Sequence, residues 1–180
     1  MALNPASQDG IRNMVQGDLQ QIFRIEVETF PNPWPFRALQ FELVQNPYCH
    51  AFVMDLGGEI SGYAFLWIMF EQSHLVNIAF RKADRGRGLG ERMLIHLMNY
   101  ARANGSQEMH LEVRETNEAA IALYRKHEFR VLGRQDRYYQ DGTPALFMQA
   151  DLNSSPVEDR EEDAAGPVGS GRPNEAGRRP

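Results

Sequence analysis

The 180-residue chain has almost no cysteine, and Cys49 is its one thiol. A single cysteine cannot form an internal disulfide, nor can it alone supply the ligands of a small zinc module. The five histidines do not show the HExxH spacing of a zinc-binding helix either. We therefore expect a protein of a reducing compartment that has no catalytic metal.

Long apolar runs and an excess of positive charge are also missing. The longest apolar run is the eight residues from Tyr63 to Phe70, whereas a membrane helix needs about 20. The first ten residues lack the cationic start and apolar block of a secretory signal. With 19 Lys and Arg against 24 Asp and Glu, the formal charge of −5 argues against a protein that wraps nucleic acid. We expect a soluble, cytoplasmic protein, a monomer or weak dimer, without a membrane partner or a direct nucleic-acid partner.

The composition changes near Asn153. The last 28 residues contain four Pro, four Gly and no aromatic residue, and they carry six acidic residues against four Arg. Such a segment has too little apolar surface to form a core. We therefore predict one folded domain at residues 1–152 and a disordered acidic tail at residues 153–180.

Apolar periodicity within the first 152 residues predicts a mixed α/β architecture. Helical spacing is found at residues 19–30, where Asp18 would be the N-cap and a proline cluster the stop, and again at 36–44, 89–101 and 117–127. Strand patterns occupy residues 51–54, 60–70, 75–80, 109–113, a stretch from 129, and 145–152. The order of these elements predicts a mixed sheet flanked by helices, with an antiparallel first half and a second half built by crossovers.

A glycine-rich segment separates the third long strand from the helix at residue 89. Its three glycines would let a ligand approach the backbone closely, and the helix N-terminus and two arginines add positive potential. An ordinary solvated turn is the alternative. The Glu91-Arg92 pair that follows does not fit a P-loop, and the GxGxG spacing does not fit a dinucleotide fingerprint. The segment consists of Arg85, Gly86, Arg87, Gly88, Leu89 and Gly90.

Several motifs together resemble the GNAT family of N-acetyltransferases, and within it the bacterial RimI-type enzymes that acetylate ribosomal-protein alanine. The resemblance extends from about Ile11 to Met148. Its motifs are Asn77-Ile78-Ala79, the Arg85/Gly88/Gly90 pattern, Leu111-Glu112-Val113-Arg114, Asn117 and Ala122-Leu123-Tyr124. Further matches are Ile25-Glu26, Pro33-Trp34, Gly62-Tyr63 and Tyr138-Tyr139.

The resemblance implies a sheet whose fourth and fifth strands part, with acetyl-CoA as co-substrate in the gap. Its pyrophosphate would lie on the amides of residues 85–90. The resemblance also implies Glu112 as general base and Tyr124 as general acid, one on each side of the reacting carbonyl. The remaining contacts would come from the backbone of Ile78, Ala79 and Phe80 at the oxyanion, and from Asn117 and Tyr124 at the thioester.

Each assignment leaves an alternative. Glu112 and Arg114 share a strand face and could form a structural ion pair, and Tyr124 could be an ordinary helix aromatic. If Tyr138 and Tyr139 lie in a strand, their side chains point to opposite faces, so at most one would meet a ligand. The acceptor implied is the N-terminal alanine of a ribosomal protein. Alternatives are a lysine side chain, a small amine, or a non-catalytic module that senses acyl-CoA.

The chain departs from the family pattern at three places. His127-Glu128 replaces a glycine that would end a helix easily, so we expect a strained or altered helix exit. Thr143-Pro144 replaces an acidic pair near the peptide side, which puts the acceptor more in doubt than the cofactor. Arg81-Lys82-Ala83-Asp84 replaces a turn that usually contains proline.

Overall fold

The computed structural model describes residues 10–153. All but the first residue of the predicted tail lies outside this range. Within this range there are four α-helices, α1 (Leu19–Thr29), α2 (Phe36–Val44), α3 (Leu89–Ala103) and α4 (Glu118–Lys126), and two short 3-10 helices at Gln16–Asp18 and Lys82–Asp84. The seven strands are β1 (Gly10–Asn13), β2 (Cys49–Leu56), β3 (Glu59–Met69), β4 (Gln72–Phe80), β5 (Glu108–Arg114), β6 (Arg130–Gln135) and β7 (Ala145–Asp151).

The strands form one sheet in the order β1-β2-β3-β4-β5-β7-β6. Strands β1 to β4 are an antiparallel meander, and β4 and β5 are parallel neighbours. The predicted mixed sheet, antiparallel first and crossover-built later, is confirmed. One detail differs from a simple pair of crossovers, because β7 lies between β5 and β6 and is antiparallel to both.

Helices cover the sheet on two sides and create two apolar cores. On one face, α3 and α4 pack over residues of β3, β4, β5 and β7, with Leu94, Leu97 and Leu111 at the centre. On the other face, α1 and α2 pack over the β2–β4 half, around Ile22 and Phe65. In the described part of the chain, no helix is long and apolar enough to cross a membrane.

Two local features go beyond the sequence predictions. The short β1 was not predicted, because it has only four residues and a single strongly apolar one, Ile11. Asp18 is the N-cap residue of α1, as predicted, but its side chain makes no cap hydrogen bond to that helix. The carboxylate instead accepts hydrogen bonds from the Val15 backbone and the Arg12 guanidinium.

Candidate active site

The sheet opens between β4 and β5. The two strands pair from Gln72/Glu108 to Leu75/Leu111, and the ladder ends there. At the same level β4 has one extra residue relative to β3, since Leu75 pairs with Leu66 while Asn77 pairs with Phe65. A β-bulge of this kind bends a strand and increases its twist. The gap beyond Val76 and Glu112 forms a cavity of about 640 Å³.

Glu112 lies on β5 at the edge of this cavity. Its Oε2 is 2.7 Å from Nε2 of His74 on β4, and the Glu112 side chain keeps 23% of its surface exposed. The His74 ring in turn packs edge-on against Trp67. Arg114 pairs with Asp141 at 2.7 Å, so the alternative of a Glu112–Arg114 ion pair finds no support. Glu112 is therefore held by a histidine partner and faces the cavity.

Sequence reasoning missed His74. The residue is 38 positions from Glu112 in the chain, and only the parallel β4–β5 register brings the two strands together at this level. Both residues lie on the face that α1 and α2 cover in the other half of the sheet. The contact between His74 and Glu112 depends on the pairing of β4 with β5, so the local sequence around His74 does not reveal it.

Tyr124 and Asn117 reach the cavity from α4, on the opposite face of the sheet. Asn117 is the N-cap of α4, and its side chain accepts a hydrogen bond from the Ala120 amide at 3.2 Å. Burial, with a contribution from Tyr139, raises the pKa of Tyr124 to about 12. The cavity thus passes through the sheet, with a carboxylate at one end and a protonated phenol at the other.

The helix end behind Tyr124 explains how its ring is fixed. Glu128 takes the glycine position of a Schellman motif at a φ of 65°. Its amide bonds to the Arg125 carbonyl, and the Phe129 amide bonds to the Tyr124 carbonyl. The Phe129 ring then packs on the Tyr124 ring at 5.6 Å. The C-terminal end of α4 is therefore strained at Glu128, as expected, but it keeps the usual hydrogen bonds of a Schellman motif.

Backbone amides of β4 line the gap. The Arg81 amide donates to the Ser61 carbonyl of β3, and amide directions alternate along a strand. The Ala79 amide therefore points to β3, while the amides of Ile78 and Phe80 point toward β5. Of the three residues assigned to the oxyanion, two have amides in the required direction, and Ala79 packs its side chain into a core.

The glycine-rich segment has the backbone expected of an anion cradle. Gly86 and Gly88 have φ values of 77° and 75°, which side chains disfavour, and a Cβ at either position would meet only open space. Gly88 is the N-cap of α3, so the amides of the first helical turn, starting at Leu89, have no acceptor within the helix. The loop lies beyond the cavity, after the end of β4.

The two loop arginines are not free charges. Arg85 donates to the Phe80 carbonyl at 3.0 Å and to the Thr29 hydroxyl at 3.1 Å. Arg87 pairs with the buried Asp84 at 2.7 Å. Both side chains therefore help to hold the loop in place, and the Arg87 side chain remains 56% exposed.

Phe80 connects the loop to the sheet. Its ring lies across Gly62 of β3, where any Cβ would overlap the ring, and its far edge would be 3.8 Å from a Cβ at Gly90. Gly62 is thus required for close approach of this ring. Sequence reasoning had assigned only the Phe80 backbone a role.

A buried carboxylate organises the acceptor side of the cavity. Glu26 of α1 is 1% exposed and accepts hydrogen bonds from the Trp34 amide at 2.8 Å, the Asn77 side chain at 3.2 Å and the Tyr63 hydroxyl. These donors belong to the α1–α2 loop, β4 and β3. Glu26 thereby fixes the loop that carries Trp34 to the strand that opens the sheet.

The β6–β7 loop forms the facing wall. Tyr138 and Tyr139 both line the cavity. Neither lies in a strand, because β6 ends at Gln135, so the alternation expected of two neighbouring strand residues does not apply to them. The guanidinium of Arg114 lies 4.0 Å over the Tyr139 ring and, with its bond to Asp141, holds this loop against β5.

The parted strands, the glycine-rich turn before α3 and a carboxylate opposite a phenol define an acyl-transfer site of the GNAT type. The family described as "Acetyltransferase (GNAT) family" matches residues 19–129. The chain belongs to this family and is an N-acetyltransferase.

Similar proteins include N-terminal acetyltransferases. A Bacillus subtilis protein named putative [ribosomal protein bS18]-alanine N-acetyltransferase is 33% identical over 144 residues, covering 79% of this chain and 95% of that protein. The Mycobacterium tuberculosis N-alpha-acetyltransferase RimI is 34% identical over 147 residues, covering 77% and 89%. The crystal structure of the Escherichia coli ribosomal-protein-S18-alanine N-acetyltransferase has a TM-score of 0.74 at 26% identity, covering 87% and 98%.

Proposed function

We propose that this protein transfers the acetyl group of acetyl-CoA to the N-terminal α-amino group of a protein, with the N-terminal alanine of a ribosomal protein as the expected acceptor. The observation that carries the proposal is the cavity through the sheet, which has Glu112 and His74 at one end and Tyr124 at the other. Transfer from a thioester to an amine needs a proton acceptor and a proton donor at separate positions.

The residues fit acetyl-CoA, which would supply the acetyl thioester. Backbone amides from Gly86 to Gly90 would hold its phosphates, because the glycines leave open space above the α3 N-terminus. The Ile78 and Phe80 amides point toward the gap, where they would stabilise an oxyanion. Asn117 is used as a helix cap, so its contribution to this end is to orient α4 and Tyr124.

Glu112 is placed to take the proton of the acceptor amine. An α-amino group has a pKa of about 7.7 to 8.0 and a lysine side chain about 10.4, so near neutral pH a carboxylate base is better matched to the α-amino group. His74 contacts the Glu112 carboxylate at 2.7 Å and keeps 28% of its side chain exposed. It holds the carboxylate toward the cavity and offers the proton a path to solvent.

Tyr124 is placed to give a proton to the departing thiolate. A pKa of about 12 keeps its phenol protonated throughout the physiological range. The Phe129 ring and the Schellman motif fix its position. Since Tyr124 and Glu112 approach from opposite faces of the sheet, the two proton transfers do not compete for one site.

Support for an N-terminal acceptor comes from the relatives, two of which are named bS18-alanine or N-alpha-acetyltransferases. Both cavity walls are loops, one carrying Trp34 and the other Tyr138 and Tyr139, and such walls suit the end of a polypeptide. Thr143 and Pro144 stand where the family has an acidic pair, so we expect a relaxed preference that accepts alanine or serine as first residue.

The test compares acceptor peptides in a steady-state assay with acetyl-CoA. One peptide begins with a free alanine, a second has the same sequence with a blocked α-amino group and an internal lysine, and spermidine serves as a small amine. We expect acetylation of the free N-terminus only, with mass spectrometry locating the acetyl group. Equal acetylation of the blocked peptide or of spermidine would overturn the N-terminal assignment, and thioester binding without any transfer would favour a sensing module.

A further inference from the structure

A second depression lies on the same sheet face as Glu112. It is open, measures about 580 Å³ and is lined by Met69, Phe70, Glu71, Gln72, Gln107 and Glu108. Met69 pairs with Gln72, and Gln72 pairs with Glu108. Directly paired residues share a face, and Glu108 and Glu112 are separated by two full pleats of β5. The depression and the catalytic cavity are therefore two parts of one surface.

Phe70 at the rim of this depression is anomalous. It is 88% exposed, and its φ of 55° places it in the left-handed region, which costs a residue with a side chain about 1–2 kcal/mol. An aromatic ring in solvent on a strained hairpin turn gives the fold no packing in return. Backbone strain combined with apolar exposure is typical of positions that contact a ligand.

The floor between the two sites is continuous. Glu112, His110 and Glu108 alternate onto this face, and their side chains are 23%, 33% and 40% exposed. The exposure therefore rises steadily from the cavity to the depression. The paired His74 and His110 lie between the two. Four residues of strand separate Glu108 from Glu112, which is about 13 Å.

The charged side chains that line the depression are both carboxylates. Glu71 and Glu108 line the depression, and no lysine or arginine lines it among residues 10–153. Arg130, paired with Gln149, shares the face but lies two strands away on the outer edge. An apolar residue beside carboxylates suits a ligand that has aliphatic length and a cationic end, as lysine and arginine do.

We propose that this depression, formed by the six residues Met69 to Gln72, Gln107 and Glu108, binds the acceptor polypeptide downstream of its N-terminus and selects a lysine or arginine there. The inference rests on the proposed N-terminal activity. An extended peptide advances about 3.3 Å per residue. With its first residue at Glu112, its fifth residue reaches Glu108 and its sixth reaches Phe70.

The experiment measures KM and kcat for acetylation of peptides that share the same first three residues. One is a tripeptide, and two are octapeptides with either lysine or glutamate at positions five and six. We expect the lysine octapeptide to have a KM about tenfold below that of the tripeptide at similar kcat. The glutamate octapeptide should show no such gain.

Two substitutions test whether the lower KM of the lysine octapeptide arises from binding in the depression. Phe70→Ser and Glu108→Gln should each raise the KM of the lysine octapeptide several-fold and leave the tripeptide kinetics unchanged. Leu132→Ser is the matched control, because Leu132 is also exposed, at 63%, but belongs to β6. The circular dichroism melting curve of each variant checks that the fold is kept.

The outcomes separate this inference from the proposed function. If the tripeptide is acetylated but all three peptides have equal KM values, the depression does not select the acceptor and the inference is wrong. If Phe70→Ser leaves KM unchanged and instead alters the sedimentation coefficient, the depression is a contact between copies of this chain, which also overturns it. If no free N-terminus is acetylated at any length, the proposed function fails and the inference fails with it.

Discussion

Two carboxylates stand on either side of the cavity, and their surroundings differ as the two halves of the molecule differ. Glu26 belongs to α1, which covers the antiparallel half; it is buried and accepts three hydrogen bonds. Glu112, in the crossover half, is partly exposed and has a single histidine partner. A buried polar group with all its partners stabilises one geometry. A partly solvated carboxylate remains available for proton transfer, so under the proposed function Glu26 is the positioning carboxylate and Glu112 the reacting one.

The largest expected effect comes from the reacting side. Glu112→Gln keeps the side-chain volume but removes the base, so kcat should fall by about 10²-fold or more. Acetyl-CoA affinity and the melting temperature should stay close to those of the parent. Steady-state kinetics with calorimetry on the same preparation measures all three, and a parent-like kcat would remove Glu112 from the mechanism.

The substitution Glu26→Gln should mainly lower the free energy of unfolding. The amide nitrogen would face donors that a carboxylate oxygen now satisfies, and an unsatisfied buried group costs about 1–3 kcal/mol. Urea unfolding monitored by tryptophan fluorescence measures the loss. Tyr63→Phe, which removes only one of the three donors, is the matched variant and should cost less. Equal stability of Glu26→Gln and the parent would contradict the assigned role.

The glycine-rich loop connects the antiparallel half to the crossover half. A substitution in this loop tests whether its backbone amides bind the cofactor. Gly88→Ala should weaken acetyl-CoA binding by about tenfold, equivalent to about 1.4 kcal/mol. Gly105→Ala is the control, because Gly105 has a similar φ of 89° and open space around it at the other end of α3. Both variants should lose similar stability from backbone strain. Isothermal calorimetry should show weaker binding for Gly88→Ala alone, and a parallel loss in both would assign the effect to strain.

The smallest expected change is a gain in stability. Glu128→Gly relieves the left-handed residue at the end of α4 and should stabilise the protein by about 1 kcal/mol. Because the Schellman hydrogen bonds and the Phe129 contact remain, kcat should not change. A thermal melt and one rate measurement suffice. A stabilised variant with reduced kcat would mean that the strained residue contributes to catalysis.

The sequence predicts best those elements in which apolar residues recur regularly over a long stretch of the chain. The helix at α3 shows seven buried positions at helical spacing, and the chain order of helices and strands is enough to indicate the mixed sheet. The place of β7 between β5 and β6 is different, because it depends on long-range pairing that no local pattern encodes. Strand β1 was missed for a local reason, since its four residues include a single strongly apolar one, Ile11.

The residues of the candidate site also differ in how well the sequence predicts them. Glu112 and Tyr124 are identifiable because they occur within short motifs, and both line the cavity. His74 and Glu26 gain their roles from contacts across strands or between a helix and a strand, so residue type alone does not reveal them. Arg85 and Arg87 show the same limit, since residue type alone does not reveal that Arg85 donates to the Phe80 carbonyl and Arg87 pairs with Asp84.

The bulge at Val76 can also be considered as a single insertion in the chain. Val76 packs against the core under α1, and Asn77 binds Glu26 on that same face, so the extra residue leaves the in-and-out alternation of the rest of β4 unchanged. A chain without Val76 should therefore fold with both cores intact, yet β4 would continue straight alongside β5. The width of the passage through the sheet is thus tied to the presence of one residue in β4.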